Sequence, residues 1–348
     1  MPSHPFSIGI TSDFYTEAKG KFEDIVEAKF GGVPNLWVEP LPERSGNVAQ
    51  LDDIDKHDAI FALATKFTAA SVTGAKRLAL ISRWGVGYDM IDVPAITQAG
   101  IVLAITPGAV RRPVAEAILA LLFALTTNLV GQDKLVRQGK WRGQLPALGR
   151  NFKGRTLGSL GCGNIAGELF RMSCSLGFGR MIAHDPFLKA GQAMLLGVEL
   201  VTLKELFDQS DYLSINIPLS DATRGLVGRS LLSRMKSTAY LINTARGPIV
   251  NEAELIEALQ QRTIAGAGLD VFEEEPLPAA SKLRELDNVI LAPHGLAWTE
   301  ELARDNSMEA CDNILALAGG HPPGPVVNRE VLSHPTFLKK LEQFRREK

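Results

Sequence analysis

The sequence predicts an α/β protein with two doubly wound domains, each a parallel sheet covered by helices. The chain has 348 residues, which is long for one hydrophobic core and suits two domains of roughly 150 to 200 residues each. Short β-like runs alternate with helical patterns in two separate series. That alternation is typical of parallel sheets flanked by helices.

The first series ends near residue 105. Helical patterns at residues 14–30 and 93–98 lie between some of its strands. A long apolar helix is then predicted from Pro113 to about residue 129, with Pro113 at the first helical position, where its missing N–H costs least. The predicted strands are residues 7–10, 36–38, 59–63, 78–82 and 101–105.

The second series supplies six predicted strands, enough for a complete doubly wound domain. A helical pattern at residues 300–317 follows, then a Gly/Pro stretch at 319–325 and a charged tail. The six strands are residues 156–160, 181–184, 212–215, 240–243, 265–269 and 289–291.

Composition and charge favour a small-molecule partner. The chain is 45% hydrophobic and 22% charged, which argues against a disordered or fibrous class. Its 37 basic and 39 acidic residues nearly cancel and no basic block stands out, so neither nucleic acid nor a membrane surface is expected as a partner.

Three cysteines without C-x-x-C spacing indicate unpaired thiols in a reducing compartment, so a cytoplasmic protein without a metal site is expected. Residues 1–10 lack the basic stretch and apolar core of a secretory signal. The strongest apolar run, residues 117–125, is far shorter than the roughly 20 residues needed to span a bilayer. It is interpreted as part of a buried helix.

A glycine-rich turn joins the strand at 156–160 to a helical pattern. Gly161 permits a tight turn, Gly163 leaves room for a pyrophosphate, and the small Ala166 lets helix and strand pack closely. The helix N-terminus then offers N–H groups to phosphate. Such a turn also arises for steric reasons alone, so by itself it is weak support for a dinucleotide site.

Asp185 strengthens the interpretation. It ends the next predicted strand, twenty-four positions after Gly161, where a dinucleotide fold places the carboxylate that accepts hydrogen bonds from the adenosine ribose. A carboxylate there would repel a 2′-phosphate, which predicts NAD over NADP as the cofactor. The alternative is a turn or cap role beside Pro186.

Arg246 and His294 each follow a predicted strand, where doubly wound folds bind their ligands. A guanidinium that polarises a carbonyl and an imidazole that protonates the alkoxide suit hydride transfer to a 2-keto acid. Between them lies the acidic run 270–276, where a carboxylate can orient the imidazole. Taken singly, each has a structural alternative: a surface or ion-paired arginine, an incidental histidine and a solvated acidic loop.

Together these residues resemble the D-isomer-specific 2-hydroxyacid dehydrogenase family over about residues 80–293, most specifically at 239–247 and 268–276. The resemblance implies that Arg246 binds substrate, that His294 is the catalytic acid/base and that Glu275 is its partner.

The resemblance also implies a substrate loop at residues 85–89, where the N–H groups of Val86 and Gly87 bind the substrate carboxylate. It implies a substrate domain, flavodoxin-like in fold, at 1–108 and 299–348, and a Rossmann NAD-binding domain at 109–298. The residues expected to line the cofactor pocket are Gly161, Gly163, Asn164, Ile165, Asp185, Asn216, Pro218, Thr223, Thr244, Ala245 and Asp270.

Four side chains near these motifs have open roles. Arg111 and Arg112 are predicted on the loop entering the long helix, either as a second anion contact or as solvated surface residues. Trp84 and Trp298 either wall the substrate site or pack in the interior.

Two other functions remain open: oxidation of formate or phosphite, whose dehydrogenases resemble this family, and NAD sensing by a corepressor-like module. A homodimer is expected through the helix at 113–129 and the segment 131–150, which resemble the family's dimerisation arm. The alternative is a helix buried within its own subunit.

Overall fold

The computed structural model describes residues 5–145 and 147–346. It divides into two compact units, Met1–Val110 with Thr299–Lys348, and Arg111–Trp298. Residues 1–4 of the N-terminal segment, and Pro146 of the expected dimerisation arm, lie outside the described residues. Each unit contains one parallel sheet, so the predicted fold class is confirmed.

The sheet of the first unit has five parallel strands in the order β2-β1-β3-β4-β5, the flavodoxin-like order. All five strands lie where the sequence predicts them, within two residues at each end. They are β1 (Phe6–Ile10), β2 (Leu36–Pro40), β3 (Ala59–Ala62), β4 (Leu80–Arg83) and β5 (Val102–Ala104).

The prediction of one helix over residues 14–30 is wrong. The chain breaks between two helices because Gly20 adopts a left-handed conformation, with φ +75°, and the carboxylate of Glu23 accepts its N–H at 3.0 Å. The early helices are α1 (Phe14–Glu17), α2 (Glu23–Phe30), α3 (Leu51–Ile54), α4 (Ala69–Val72) and α5 (Val93–Gln98).

The long apolar helix is α6 (Pro107–Thr126), followed by α7 (Leu129–Arg137). Its predicted start at Pro113 is wrong. Pro107 occupies the first position instead, and Pro113 lies inside the helix. Arg111 and Arg112 are therefore on the helix rather than on a loop, and Nε of Arg112 lies 2.8 Å from the carboxylate of Glu116.

Within the described chain, no single helix has the length and apolar character to cross a bilayer. Taken together, α6 and α7 are long and apolar enough, but the two helices are bent by 57° at the break between them.

The sheet of the second unit has seven parallel strands in the order β12-β11-β10-β9-β6-β7-β8. The direction of winding reverses between β6 and β9, which is where doubly wound sheets bind ligands. Sequence patterning missed β8 because a two-residue edge strand has no measurable periodicity. The strands are β6 (Thr156–Leu160), β7 (Arg180–His184), β8 (Glu199–Leu200), β9 (Tyr212–Ile215), β10 (Tyr240–Asn243), β11 (Gly266–Leu269) and β12 (Val289–Leu291).

Two apolar clusters bury the sheet of the second unit. One joins Leu157 and Phe170 to Ile118 of α6, and the other joins Leu241 to Leu255. This accounts for the nearly continuous apolar strands. The helices are α8 (Asn164–Ser173), α9 (Ala190–Leu195), α10 (Leu203–Gln209), α11 (Arg229–Leu232) and α12 (Glu252–Gln260).

The chain then returns to the first unit through α13 (Glu300–Ala318) and α14 (Pro335–Arg346). The interpretation of the C-terminal segment as only a charged tail is wrong. Phe337, Leu341 and Phe344 are buried and recur at helical spacing, so they attach α14 to the unit.

Candidate active site

The glycine-rich turn after β6 has the geometry of a phosphate cradle. Gly161 has φ +87°, and a Cβ there would lie 2.6 Å from the carbonyl oxygen of Asn216, so a larger residue does not fit. Beside Gly163 a Cβ would have no heavy atom within 4 Å, which leaves that side of the turn open. Asn164 and Ile165 begin α8, whose N-cap Gly163 has no side chain to satisfy the first N–H groups.

Asp185 follows β7 and braces this turn. Its Oδ2 accepts the N–H of Cys162 at 2.8 Å, and its Oδ1 accepts the N–H of Phe187 at 2.9 Å. The turn role considered for Asp185 is therefore present. Each carboxylate oxygen still has lone-pair capacity for a ribose hydroxyl.

Polar residues lie beyond the adjacent strands. The Asn216 amide donates to the hydroxyl oxygens of Ser159 and Ser214, and the hydroxyl of Thr223 donates to the carbonyl of Pro218 at 2.8 Å. Thr244 differs, because its Oγ1 is buried and has no hydrogen-bond partner among the described residues. An orphaned hydroxyl after β10, together with the open side of Gly163, fits a bound dinucleotide.

His294 and Glu275 form a hydrogen-bonded pair, with Nδ1 2.7 Å from Oε2. Glu275 Oε1 also accepts the N–H of Phe272 at 2.9 Å. Burial opposes ionisation of this carboxyl. The hydrogen bond and charge of His294, the Phe272 N–H and the charge of Arg246 outweigh burial, and they hold the pKa of Glu275 below its ordinary value.

Asp270 holds the backbone that carries His294. Its Oδ1 accepts the N–H groups of Gly295 at 3.1 Å and Leu296 at 3.2 Å, and His294 itself has φ +53°. Burial raises the pKa of the Asp270 carboxyl, although these N–H groups and the charge of His294 act in the opposite direction. Asp270 thus fixes the backbone that follows His294.

Arg246 follows β10 and is braced by Asn243. The amide of Asn243 donates to the Arg246 carbonyl at 2.9 Å, and its oxygen accepts the N–H of Ala245 at 3.0 Å. A Cβ on Gly247 would lie 1.9 Å from the carbonyl carbon of Phe272. The glycine therefore lets the Arg246 turn lie against the segment that leads to Glu275. Sequence reasoning assigned no role to Asn243, although an Asn at the end of a buried strand is itself a signal.

The loop after β4 lies in the first unit, and its residues Val86 and Gly87 are half-buried. Gly85 has φ +126°, and its N–H donates to Oγ1 of Thr106 at 2.7 Å. Arg83 donates from Nε to the carbonyl of Gly87 at 3.0 Å and from Nη1 to that of Trp84. Sequence reasoning missed Arg83, and a cation two residues before a Gly-x-Gly turn was the available signal.

Of the two tryptophans with open roles, Trp84 packs in the interior. It is 3% exposed, and its indole N–H donates to Oγ of Ser307 at 2.9 Å. Trp298 is half-buried, and its backbone N–H donates to the carbonyl of Gly295 at 2.9 Å.

In the second unit, the phosphate-compatible turn lies where the winding reverses, and a guanidinium, a carboxylate and an imidazole follow the neighbouring strands β10, β11 and β12. These features define the class of NAD(P)-dependent oxidoreductases.

Comparison with known proteins gives the family. Residues 119–295 match the family model "D-isomer specific 2-hydroxyacid dehydrogenase, NAD binding domain". A glyoxylate reductase of Korarchaeum cryptofilum is 36% identical over 302 residues, 86% of this chain and 90% of the relative. A glyoxylate reductase of Aeropyrum pernix is 40% identical over 282 residues, 79% of this chain and 84% of the relative.

A solved structure is similar along nearly the whole chain. The NADPH-dependent glyoxylate/hydroxypyruvate reductase of Sinorhizobium meliloti, in complex with NADP and malonate, is 29% identical with a TM-score of 0.80, covering 93% of this chain and 97% of its own. The chain belongs to the D-isomer specific 2-hydroxyacid dehydrogenase family. It is an NAD(P)-dependent oxidoreductase that interconverts 2-hydroxy and 2-keto acids.

Proposed function

We propose that this protein reduces glyoxylate, hydroxypyruvate or a similarly small 2-keto acid with NADH. The observation that carries the proposal is the hydrogen bond of 2.7 Å between His294 and Glu275. The positive charge of Arg246 also helps to lower the pKa of the Glu275 carboxyl. The names of the relatives in Korarchaeum cryptofilum and Aeropyrum pernix support the choice of substrate.

In this proposal residues 1–108 and 299–348 form the substrate domain, and residues 109–298 form the cofactor domain. The two compact units support the division, since their first boundary falls after residue 110 and their second after residue 298. The glycine-rich turn lies in the second unit, as a cofactor domain requires.

The reaction uses a small set of side chains. A dinucleotide held by the Gly161 turn and the N-terminus of α8 would supply the hydride for substrate C2. The N–H groups of Val86 and Gly87 bind the substrate carboxylate, and Arg246 binds substrate and polarises its carbonyl. Because the Glu275 carboxylate can only accept, Nδ1 of His294 carries its proton toward Glu275, and Nε2 delivers a proton to the substrate oxygen. The product is the 2-hydroxy acid.

The decisive experiment measures turnover of a panel of 2-keto acids by the wild type and by His294→Asn. The variant should lower kcat by roughly 10² to 10⁴, the usual loss for a general acid. Its NADH affinity, measured by fluorescence titration, should not change. Turnover of formate or phosphite without turnover of any 2-keto acid would refute the proposed reaction, and near-normal kcat in His294→Asn would refute the assigned acid.

Preference for NAD over NADP is also proposed, on the charge of Asp185. Wild-type kcat/KM should be at least about tenfold higher with NADH, because the carboxylate repels a 2′-phosphate. Asp185→Asn removes the charge and keeps an oxygen acceptor for the Cys162 N–H. It should therefore bring the kcat/KM values for NADH and NADPH closer together. Equal kcat/KM for the two cofactors in the wild type would overturn the preference.

We further propose a homodimer formed through α6 and α7. Five large apolar side chains on α6, on α7 and just after α7 are 45% to 68% exposed, which is unfavourable in an isolated subunit. They are Phe123, Leu129, Val130, Val136 and Trp141. Light scattering at micromolar concentration should give the mass of a dimer, and Leu129→Glu with Val136→Glu should give a monomer. A wild-type monomer would contradict the proposal.

A cytoplasmic location completes the proposal. Cys162, Cys174 and Cys311 are free thiols, which suits a reducing compartment. In a cell-fractionation experiment the protein should be recovered with cytoplasmic markers. Recovery from an oxidising compartment would contradict this location.

A further inference from the structure

A chain of buried hydrogen bonds connects the loop after β4 to the middle of α13. The Gly85 N–H donates to Oγ1 of Thr106 at 2.7 Å, and that hydroxyl donates to Oδ1 of Asn306 at 2.6 Å. Thr106 and Asn306 are fully or almost fully buried, with 0% and 1% exposure. The function proposed above uses neither residue.

Thr106 holds both backbone polar groups of Gly85. Besides accepting the Gly85 N–H, it donates its own N–H to the Gly85 carbonyl at 3.1 Å. Gly85 is also the residue with φ +126°, a conformation that other residues rarely adopt. Fixing its two peptide groups sets the direction of the chain at Val86 and Gly87, whose N–H groups follow immediately.

Helix α13 supplies polar partners on one face. Asn306 reaches Thr106, Ser307 accepts the indole N–H of Trp84 at 2.9 Å, and the Ala310 carbonyl accepts the hydroxyl of Ser82 at 2.9 Å. A buried amide or hydroxyl costs stability unless it is hydrogen-bonded, whereas an alanine or leucine would simply pack. Satisfied polar contacts of this kind select one arrangement of the groups they join.

We propose that Thr106 and Asn306 are positioning residues, which hold the loop after β4 so that the N–H groups of Val86 and Gly87 point at the substrate carboxylate. The inference rests on the proposed role of that loop. The pair touches neither substrate nor dinucleotide. Its loss should therefore weaken keto-acid binding while NADH binding stays unchanged.

The test compares Thr106→Val with Thr106→Ser. Valine keeps the shape and removes the hydroxyl, which leaves the Gly85 N–H and the Asn306 oxygen unpaired, whereas serine keeps the hydroxyl. Thr106→Val should raise KM for the keto acid by about tenfold, the effect expected for one unsatisfied buried donor. Thr106→Ser should stay within about twofold of the wild type, and neither variant should change NADH affinity.

Two further variants guard the interpretation. Asn306→Leu removes only the acceptor of the Thr106 hydroxyl and leaves that hydroxyl free to accept the Gly85 N–H. Should Thr106→Val not fold, a rise in KM in Asn306→Leu, smaller than tenfold but absent from Ser82→Ala, would support the inference, and no rise would overturn it. Ser82→Ala removes a different buried bond between β4 and α13, and it should leave KM unchanged. A rise in KM in Ser82→Ala equal to that in Thr106→Val would show general loosening of α13 and overturn the inference.

Two readouts do not depend on turnover. Amide hydrogen exchange of a peptide covering residues 84–88 should be faster in Thr106→Val than in the wild type or Thr106→Ser. Calorimetric titration of the NADH-saturated enzyme with oxalate should show binding weakened only by loss of the hydroxyl.

These results separate the two proposals. Keto-acid turnover with equal KM and equal exchange in all variants overturns the inference alone. No turnover, but oxalate binding that depends on the hydroxyl, overturns the proposed reaction alone. A wild type that neither turns over keto acids nor binds oxalate overturns both.

Discussion

Nδ1 of His294 lies 2.7 Å from Oε2 of Glu275, and each partner is held by a further hydrogen bond, the carboxylate directly and the imidazole through its backbone. The Phe272 N–H donates to Glu275, while the Asp270 carboxylate holds the two residues after His294. The Glu275 carboxylate is thus placed to orient the imidazole that we propose as the proton donor.

Glu275→Gln should lower kcat for reduction of the keto acid. The amide can still place an oxygen 2.7 Å from Nδ1 of His294, but the negative charge beside the imidazole is lost. Steady-state rates at saturating keto acid measure this. Glu274→Gln removes a charge from the neighbouring exposed residue and should leave kcat unchanged. Equal kcat for Glu275→Gln and the wild type would contradict the pairing.

Substitution of Arg246 should raise KM and lower kcat together, because in the proposed reaction the guanidinium acts in both the ground state and the transition state. Arg246→Gln is expected to lower kcat/KM by about 10² to 10³, and Arg246→Lys by less, since lysine keeps the charge but loses the planar fork. Arg180→Gln serves as the control and should behave as the wild type, because Arg180 is the first residue of β7, at the end of that strand away from Asp185. Unchanged kinetics in Arg246→Gln would remove this residue from the site.

Gly247→Ala should damage both stability and activity. The new Cβ would lie 1.9 Å from the carbonyl carbon of Phe272, so the turns of Arg246 and Glu275 must separate. We expect a loss of roughly 2 kcal/mol in the free energy of unfolding, measured in urea, together with a reduced kcat. Gly191→Ala is the matched control: it lies within α9 with no heavy atom within 4 Å, and it should stabilise by up to about 1 kcal/mol. Equal effects at the two positions would contradict the steric argument.

Lys340 should make stability depend on alkaline pH. Its ammonium is buried and donates to the carbonyl of Leu78, and burial, opposed only in part by Asp55, lowers the pKa of Lys340 from 10.5 to about 8. Between these values the unfolded chain binds more protons than the folded one, so the contribution of Lys340 to stability rises with pH from about 8 to 10.5 and is absent below.

The test is the difference in unfolding free energy between the wild type and Lys340→Met. It should increase by about 2 to 3 kcal/mol across that interval in favour of the wild type. Lys339→Met, at the exposed neighbouring position, should show no such trend. If the difference in unfolding free energy between the wild type and Lys340→Met did not change with pH, burial would not be lowering the pKa of Lys340.

Local patterns predicted most of the elements. The strands of both sheets are short apolar runs whose signal lies within a few residues, and Gly161 needs glycine in part for a local reason, its φ of +87°. The errors were also local. Pro107 and Pro113 both suit a helix start, and sequence alone did not show which one begins α6. Gly20 lies in the break between α1 and α2, and periodicity does not register its contact with Glu23.

The sequence by itself determined the order of chemical groups along the chain: a glycine turn, an acid after β7, then Arg246, Glu275 and His294, each following a strand. Only the tertiary structure decided which groups meet. It set Gly247 against Phe272 and joined Thr106 to Asn306, two hundred residues further along the chain. Hydrogen bonds over such separations depend on how sheets and helices pack, and a single buried Asn or Thr in sequence carries no sign of its partner.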